Sequence, residues 1–251
     1  MTVGTMSFFC YNGFMKKHHI HHVSESVKQA YSAIASEFDQ TRQQPWPEFQ
    51  HFLAYVRHGS KILDLGCGNG RLARLLTDKD VDYFGVDHNS ALLEKARAAH
   101  PSARFELMDM ADLSALPEGG FDMVFNIAAF HHLPGKKIRR HATLEIHRIL
   151  KDDGVLILTV WNLFQWKYIK PLFRSVLSCL LHFGFKYAWN DLWIKWGNYP
   201  LKRYYHAFLP KELSHYFPSD LWELEEFYFT KKGNRVPFWR SFNAVLIVRK
   251  K

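Results

Sequence analysis

The 251-residue chain predicts an α/β fold, a doubly wound and mostly parallel sheet with an antiparallel C-terminal strand and a helical, aromatic insertion ahead of it. Three observations carry this. A glycine-rich turn separates an apolar run from a helical pattern at residues 61–77, strand and helix patterns then alternate to residue 160, and two apolar runs follow residue 220 after a break in the rhythm.

Residues 1–24, with the cluster His18, His19, His21 and His22, show no clear period and read as a poorly ordered tail. With no acidic or Cys partner beside it, the cluster makes a weak metal site, and no metal is expected. Residues 25–251 read as one domain. Val27, Ala30, Tyr31, Ile34, Ala35 and Phe38 recur at helical spacing from Ser24, a plausible N-cap, to Asp39. The Pro45-Trp46-Pro47 turn ends that helix and starts another over Glu48 to Val56.

Strands are expected at Lys61 to Leu65, Tyr83 to Val86, Ala103 to Met108, Phe121 to Ile127 and Gly154 to Val160. Helices are expected at Arg71 to Thr77, Ser90 to Ala99 and Lys136 to Leu150. The insertion, residues 162–210, is rich in Trp, Tyr, Phe, Lys and Arg and is expected to form helices outside the sheet. Leu221 to Thr230 and Phe242 to Arg249 then read as an antiparallel edge pair joined by the basic turn Lys231 to Arg235.

A formal net charge of +9 favours a polyanion, an acidic small molecule or an anionic membrane surface without choosing among them. The three cysteines, Cys10, Cys67 and Cys179, are scattered and form no C-x-x-C pair, so neither a disulfide frame nor a zinc site is expected, and a reducing cytoplasm fits best. No secretion signal is read at the N-terminus, and the apolar stretch Val176 to Phe185 is too short to cross a bilayer.

In Ile62-Leu63-Asp64-Leu65-Gly66-Cys67-Gly68-Asn69-Gly70 the loop from Gly66 to Gly70 follows a strand and opens a helix, so a ligand can lie against its backbone N–H groups. Asp87, with His88 next to it, ends the following strand, where a carboxylate can accept both ribose hydroxyls. The spacing is G-x-G-x-G rather than the dinucleotide G-x-G-x-x-G. Asp64 can receive the ammonium of a methionine moiety, directly or through water. Asp109, at the end of the third strand, can accept an adenine amino group beside the Met110 backbone, or it is a solvated loop acid. The segment from Asn126 and Ile127 through His131 and His132 leaves the fourth strand at its carboxyl end and should line the reacting pocket. There His131 is either a general base or a residue that orients the loop.

In these parts the chain resembles the class I methyltransferases that use S-adenosylmethionine, across residues 31–160. The resemblance narrows to the tRNA wobble-uridine carboxymethyl methyltransferases, including the methyltransferase domain of the AlkB-homologue RNA enzymes. Four blocks carry it: YSAIASEFDQTRQQPWP (31–47), LDLGCGNG (63–70), IAAFHHLPGKKIRRHATLEIHRILKDDGVLILTVW (127–161) and RYYH (203–206). The resemblance implies a seven-stranded Rossmann-like sheet, S-adenosyl-L-methionine as cofactor with S-adenosyl-L-homocysteine as product, and esterification of the carboxylate of 5-carboxymethyluridine in tRNA. It also brings a small zinc-binding activator protein into view as a partner.

A carboxylate acceptor, with a reference pKa of about 4, needs positioning and cations rather than a base. Arg42, Arg203, Tyr204, Tyr205 and His206 are the candidates to hold it; Arg42 alternatively clamps the cofactor's own carboxylate, and Tyr31 and Trp46 are either a lid or core. The insertion is more apolar than the family's usual segment. It fits RNA contact, lid packing or peripheral membrane contact. A small-molecule carboxyl or hydroxyl methyltransferase and a non-catalytic cofactor-binding RNA protein are the rival readings.

Overall fold

The inner strands of the central sheet carry apolar runs buried on both faces, and helices cover those faces. The computed structural model describes residues 17–42, 44, 46–181, 188–197 and 199–251. The expectations placed on Cys10, Pro45, Lys186 and Tyr187 and on most of the N-terminal tail lie outside these residues. Strands β1 (Lys61–Leu65), β2 (Asp82–Asp87), β3 (Arg104–Leu107), β4 (Phe121–Ile127) and β5 (Leu150–Trp161) pair in parallel. β6 (Asp191–Lys195) and β7 (Lys202–His206) form a separate antiparallel hairpin. β8 (Trp222–Lys231), β9 (Asn234–Arg235) and β10 (Asn243–Lys250) close the sheet, whose order is β3-β2-β1-β4-β5-β10-β8-β9. Strand β10 runs antiparallel between β5 and β8, and among the described residues the two-residue β9 is the one strand of this sheet beyond the expected seven.

Alternate residues of β1 show how the two layers divide. Leu63 and Leu65 join Val124, Leu156 and Leu158 in the core under α6 (Lys136–Ile149), whereas Ile62 joins Met123, Phe125 and Ile157 in the core under α3 (Phe49–Phe52) and α4 (Arg71–Leu76). Burial on both faces explains the near-continuous Val, Ile and Leu runs. The chain order reverses between β1 and β4, which opens a crevice beyond their carboxyl ends.

Two expectations need correction. Residues 17–24, assigned to the tail, are the first turns of α1 (Lys17–Ala33), and Ser24 lies inside it rather than capping it; α2 (Ala35–Thr41) follows after a break at Ile34. Val23 and Val27 seat this helix on Tyr204, a contact supplied by a strand more than 170 residues away that local periodicity does not report. The insertion is only partly helical. Helix α7 (Ile169–Leu181) is followed by the β6–β7 hairpin, in which Trp193 and Tyr204 face each other across the strands with rings 5.7 Å apart. Helices α5 (Ser90–Ala99) and α8 (Pro210–His215) complete the fold.

Candidate cofactor and acceptor site

The crevice is a cleft of about 840 Å³ walled by the glycine loop, the ends of β2 and β4, and the N-terminal helices. Its floor is held from below. The Gly66 and Cys67 N–H groups both donate to the Val86 carbonyl, and Gly66 meets the β4 loop so closely that an added Cβ would lie 2.5 Å from the Ala129 Cβ. With φ at +82°, only glycine fits there without strain.

Asp64 and Asp87 lie on neighbouring strands of this floor. The Tyr83 hydroxyl donates to Asp64 at 2.8 Å, and no cation is paired with the carboxyl among the described residues. Burial pushes it up to about 7. Asp87 accepts the Gly68 N–H on one oxygen and the Asn89 N–H on the other, both at 2.9 Å, which fixes the plane of the carboxylate and leaves a lone pair on each oxygen. His88 stands beside it, with Nδ1 at 3.5 Å.

The N-terminal helices are tied to this floor by side-chain amides. The Asn89 amide donates to the Lys28 carbonyl and the Ser32 hydroxyl, and its oxygen caps α5 by accepting from the Leu92 N–H. The Asn69 amide donates to Asp39 at 2.8 Å. These bonds bring Tyr31, Phe38 and Arg42 over the cleft.

A polar relay runs from the hairpin to the cleft. Arg203 donates through an Nη to the Tyr31 hydroxyl at 3.1 Å, and that hydroxyl lies 2.9 Å from His132 Nε2. His132 Nδ1 lies 2.7 Å from the Tyr204 carbonyl, to which it can only donate. Nε2 is then the acceptor and Tyr31 the donor. Burial lowers the His132 pKa to about 3, so the ring is neutral.

Several candidates lie off the cleft wall. His131 is buried behind it, where its Nδ1 accepts the Trp161 N–H at 3.2 Å, and it is the next residue, His132, that faces the cleft. Asn126 is buried and braces the loop, donating to the Leu65 carbonyl and accepting the Phe130 N–H, while Ile127 reaches the wall. Asp109 points into solvent and accepts the Ala111 N–H, whereas Met110 lines the cleft. Gly70 serves packing, since a Cβ there would meet His100, Phe105 and Ala96 within 3.3 Å.

Tyr204 and His206 are removed from the cleft by strand alternation, which turns them away from the side of β7 that bears Arg203 and Tyr205. His206, buried like Asp191 and Tyr204, bridges Asp191 and the half-buried Glu212 at 2.6 Å each, and the Tyr204 hydroxyl donates to Asp191 at 2.6 Å. Arg203 is itself buried behind Tyr31 and Trp196, whose rings its guanidinium faces at 5.0 and 4.7 Å.

Arg42 occupies the junction. It lines the cleft and also an adjoining cavity of about 1010 Å³ that shares Trp46 and Trp161 and carries Lys167 and Lys232 on its walls. The acid there, Glu48, is already bonded by Thr230 and Asn243. Burial and the nearby Arg203 pull the Arg42 pKa below its ordinary value. Arg71, unremarked in the sequence, lines the cleft as well, stacked 4.9 Å over Trp46; burial and the charges of Arg42 and Arg74 lower its pKa to about 9. A cation as the first residue of a helix opposes the helix dipole, and that mismatch was the available signal. Two arginines side by side over a cleft suit an anionic ligand. Among the described residues no group of three metal-ligating side chains forms.

Comparison with known proteins agrees with this geometry. Residues 62–154 match a family model described as a methyltransferase domain. A tRNA (carboxymethyluridine(34)-5-O)-methyltransferase from Xenopus tropicalis is 35% identical over 143 residues, 56% of this chain and 22% of that protein. The protein of the same description from Saccharomyces cerevisiae is 33% identical over 141 residues, 56% of this chain and 50% of its own length. The matched stretch thus spans from about a fifth to half of these relatives. Among solved structures, a SAM-dependent methyltransferase from Methanosarcina mazei superposes with a TM-score of 0.66 at 22% identity, covering 80% of this chain and 96% of that one. The putative methyltransferase crystallised with the Haloferax volcanii Trm112 activator gives 0.60 at 21% identity, covering 89% and 96%. The sheet is the Rossmann-like one of these enzymes.

Proposed function

From the premise that residues 62–154 are a methyltransferase domain, we propose that this protein uses S-adenosylmethionine to esterify a carboxylate, that of 5-carboxymethyluridine at the tRNA wobble position. The relatives named for that reaction support the acceptor, and the junction at Arg42 is the observation that carries it.

The floor fits the cofactor. A buried carboxyl raised to about 7 with no paired cation suits an ammonium, and an oriented carboxylate with two spare lone pairs suits a ribose diol. Asp64 would take the amino group, Asp87 the ribose hydroxyls, and Arg71 the cofactor's carboxylate. When bound, the cofactor supplies a methyl carbon on a positively charged sulfur.

Arg42 would hold the acceptor carboxylate where the cleft meets the adjoining cavity, both of which Trp46 and Trp161 line. A carboxylate oxygen attacks with its own lone pair, so no proton has to leave. This matches the wall: His132 has both nitrogens engaged and a pKa of about 3, which disqualifies it as a base near neutrality. Catalysis then rests on alignment and on exclusion of water by Tyr31 and Phe38. Arg203 acts through Tyr31 as a positioning residue. The cations Lys167 and Lys232 suit a phosphate-bearing acceptor. An activator of the type crystallised with the Haloferax protein is proposed as a partner.

The test is incubation of purified protein with S-adenosylmethionine and tRNA bearing carboxymethyluridine, with and without such an activator, followed by nucleoside mass spectrometry. The product should be a methyl ester cleaved by mild alkali. A base-stable product, or none on RNA, refutes the acceptor and leaves a small carboxylate.

A further inference from the structure

We propose that α7 is a docking surface for an anionic membrane interface. Its inner face is settled: Leu172 packs on the hairpin core and Cys179 is buried. Its outer face is not covered by any of the described residues. Phe173 is 68% exposed and Leu180 61%, Leu177 is exposed between them, and Trp166 in the preceding turn is 86% exposed. Steps of four and three residues place Phe173, Leu177 and Leu180 on one stripe of the helix, with Trp166 in the turn before it. An apolar stripe of this kind on a helix end to end in water marks a binding surface.

Charge selects the occupant. Lys170 and Arg174 are exposed along one edge of the stripe, and the sequence holds no Asp or Glu between Asp153 and Asp191. Apolar side chains beside a basic row are what an interfacial helix presents to anionic headgroups, with Trp at the boundary. RNA offers nothing to the aliphatic carbons of Leu177 and Leu180. A second copy of the chain would bring the two basic rows together.

The surface adjoins the acceptor cavity. Lys167, next to Trp166, lines that cavity and places its ammonium 5.6 Å from the Phe242 ring, which lines it too. A docked molecule therefore holds the mouth of the cavity beside the interface. The proposal is independent of the tRNA reading, because vesicle binding requires no methyl acceptor.

The full-length protein should float with vesicles of phosphatidylcholine mixed with phosphatidylglycerol and not with phosphatidylcholine alone. The double substitution Phe173→Glu/Leu180→Glu should abolish flotation, and Lys170→Gln/Arg174→Gln should weaken it about 25-fold, at roughly fivefold per charge. Unchanged affinity for S-adenosylhomocysteine certifies that each variant is folded. Wild-type protein that ignores anionic vesicles, or glutamate variants that still float, overturns the proposal. So does a wild-type dimer that Phe173→Glu/Leu180→Glu splits in light scattering, or a loss of tRNA binding in these variants without loss of flotation.

Discussion

The cleft and the β6–β7 hairpin both bury ionisable groups, and they satisfy them in opposite ways. In the hairpin the Asp191 cluster is answered on every side: Asp191 meets His206 and the Tyr204 hydroxyl, and His206 meets Glu212 in turn. Burial alone would raise Asp191, yet His206 and the nearby Arg139 hold it below its ordinary value. In the cleft, Asp64 is raised to about 7, and Arg42 and Arg71 are lowered, each with like charges for neighbours or none. A network that closes on itself is structural, and one left open is waiting for a ligand.

The hardest way to break this comparison is Asp191→Ala. It strands a buried His206 and Tyr204, so unfolding free energy should fall by about 3 to 5 kcal/mol in urea titrations, the range for a buried pair that loses one member. Affinity for S-adenosylhomocysteine, measured well below the melting temperature, should stay within about twofold, because none of Asp191, Tyr204, His206 and Glu212 lines the cleft. A matching loss of affinity would mean the hairpin belongs to the site.

Next in size is Asp87→Ala. Two hydrogen bonds to a charged acceptor, at about 1.5 kcal/mol each, correspond to a rise of about 100-fold in the dissociation constant by calorimetry. Unaltered affinity would remove the nucleoside from this end of the cleft.

Asp64 gives a pH dependence whose sign is fixed. Its carboxyl in the free protein is protonated below about 7, and an ammonium ligand needs it ionised. Cofactor affinity should therefore fall by up to about tenfold per unit as the pH drops below 7, and be level above it. Stability of the free protein runs the other way: with the folded pKa raised, the contribution is full below the ordinary carboxyl range and lost as the pH rises through about 7. Asp64→Asn should flatten both profiles, and a surviving slope in binding would assign the titration elsewhere.

The floor of the cleft was legible because its chemistry is local. Asp64, the glycine loop and Asp87 lie within 24 residues, and strand alternation with turn geometry suffices to bring them together. Their roles toward ligand stay open to the tests above. The walls were not legible for a different reason. Which of His131 and His132 faces inward depends on a one-residue turn of the chain after Ala128, at φ 54°, and strand periodicity stops there. Tyr204 and His206 look alike with Arg203 in the sequence, and only the hairpin register with Asp191 shows that alternate residues of the block serve different faces. The same register explains the misread insertion: Trp193 pairs with Tyr204, and Leu192 with Tyr205, across strands and not along a helix. Asp109 lies two residues beyond the end of β3, where its bond to the Ala111 N–H holds it at the surface.

The smallest effect is expected where the two regions touch. The Tyr31 hydroxyl is the one group that accepts from the hairpin's Arg203 and donates to His132 in the cleft wall. Tyr31→Phe keeps the ring, which meets Phe38 edge-on at 5.5 Å, and removes only that link. Leaving His132 Nε2 unanswered costs about 1 kcal/mol, which as lost alignment is roughly a fivefold drop in kcat. The cofactor's dissociation constant should move by less than about twofold, since the ring still closes the cleft. If instead affinity falls and kcat holds, Tyr31 touches the cofactor directly, and Arg203 has no path from the hairpin to the reacting groups.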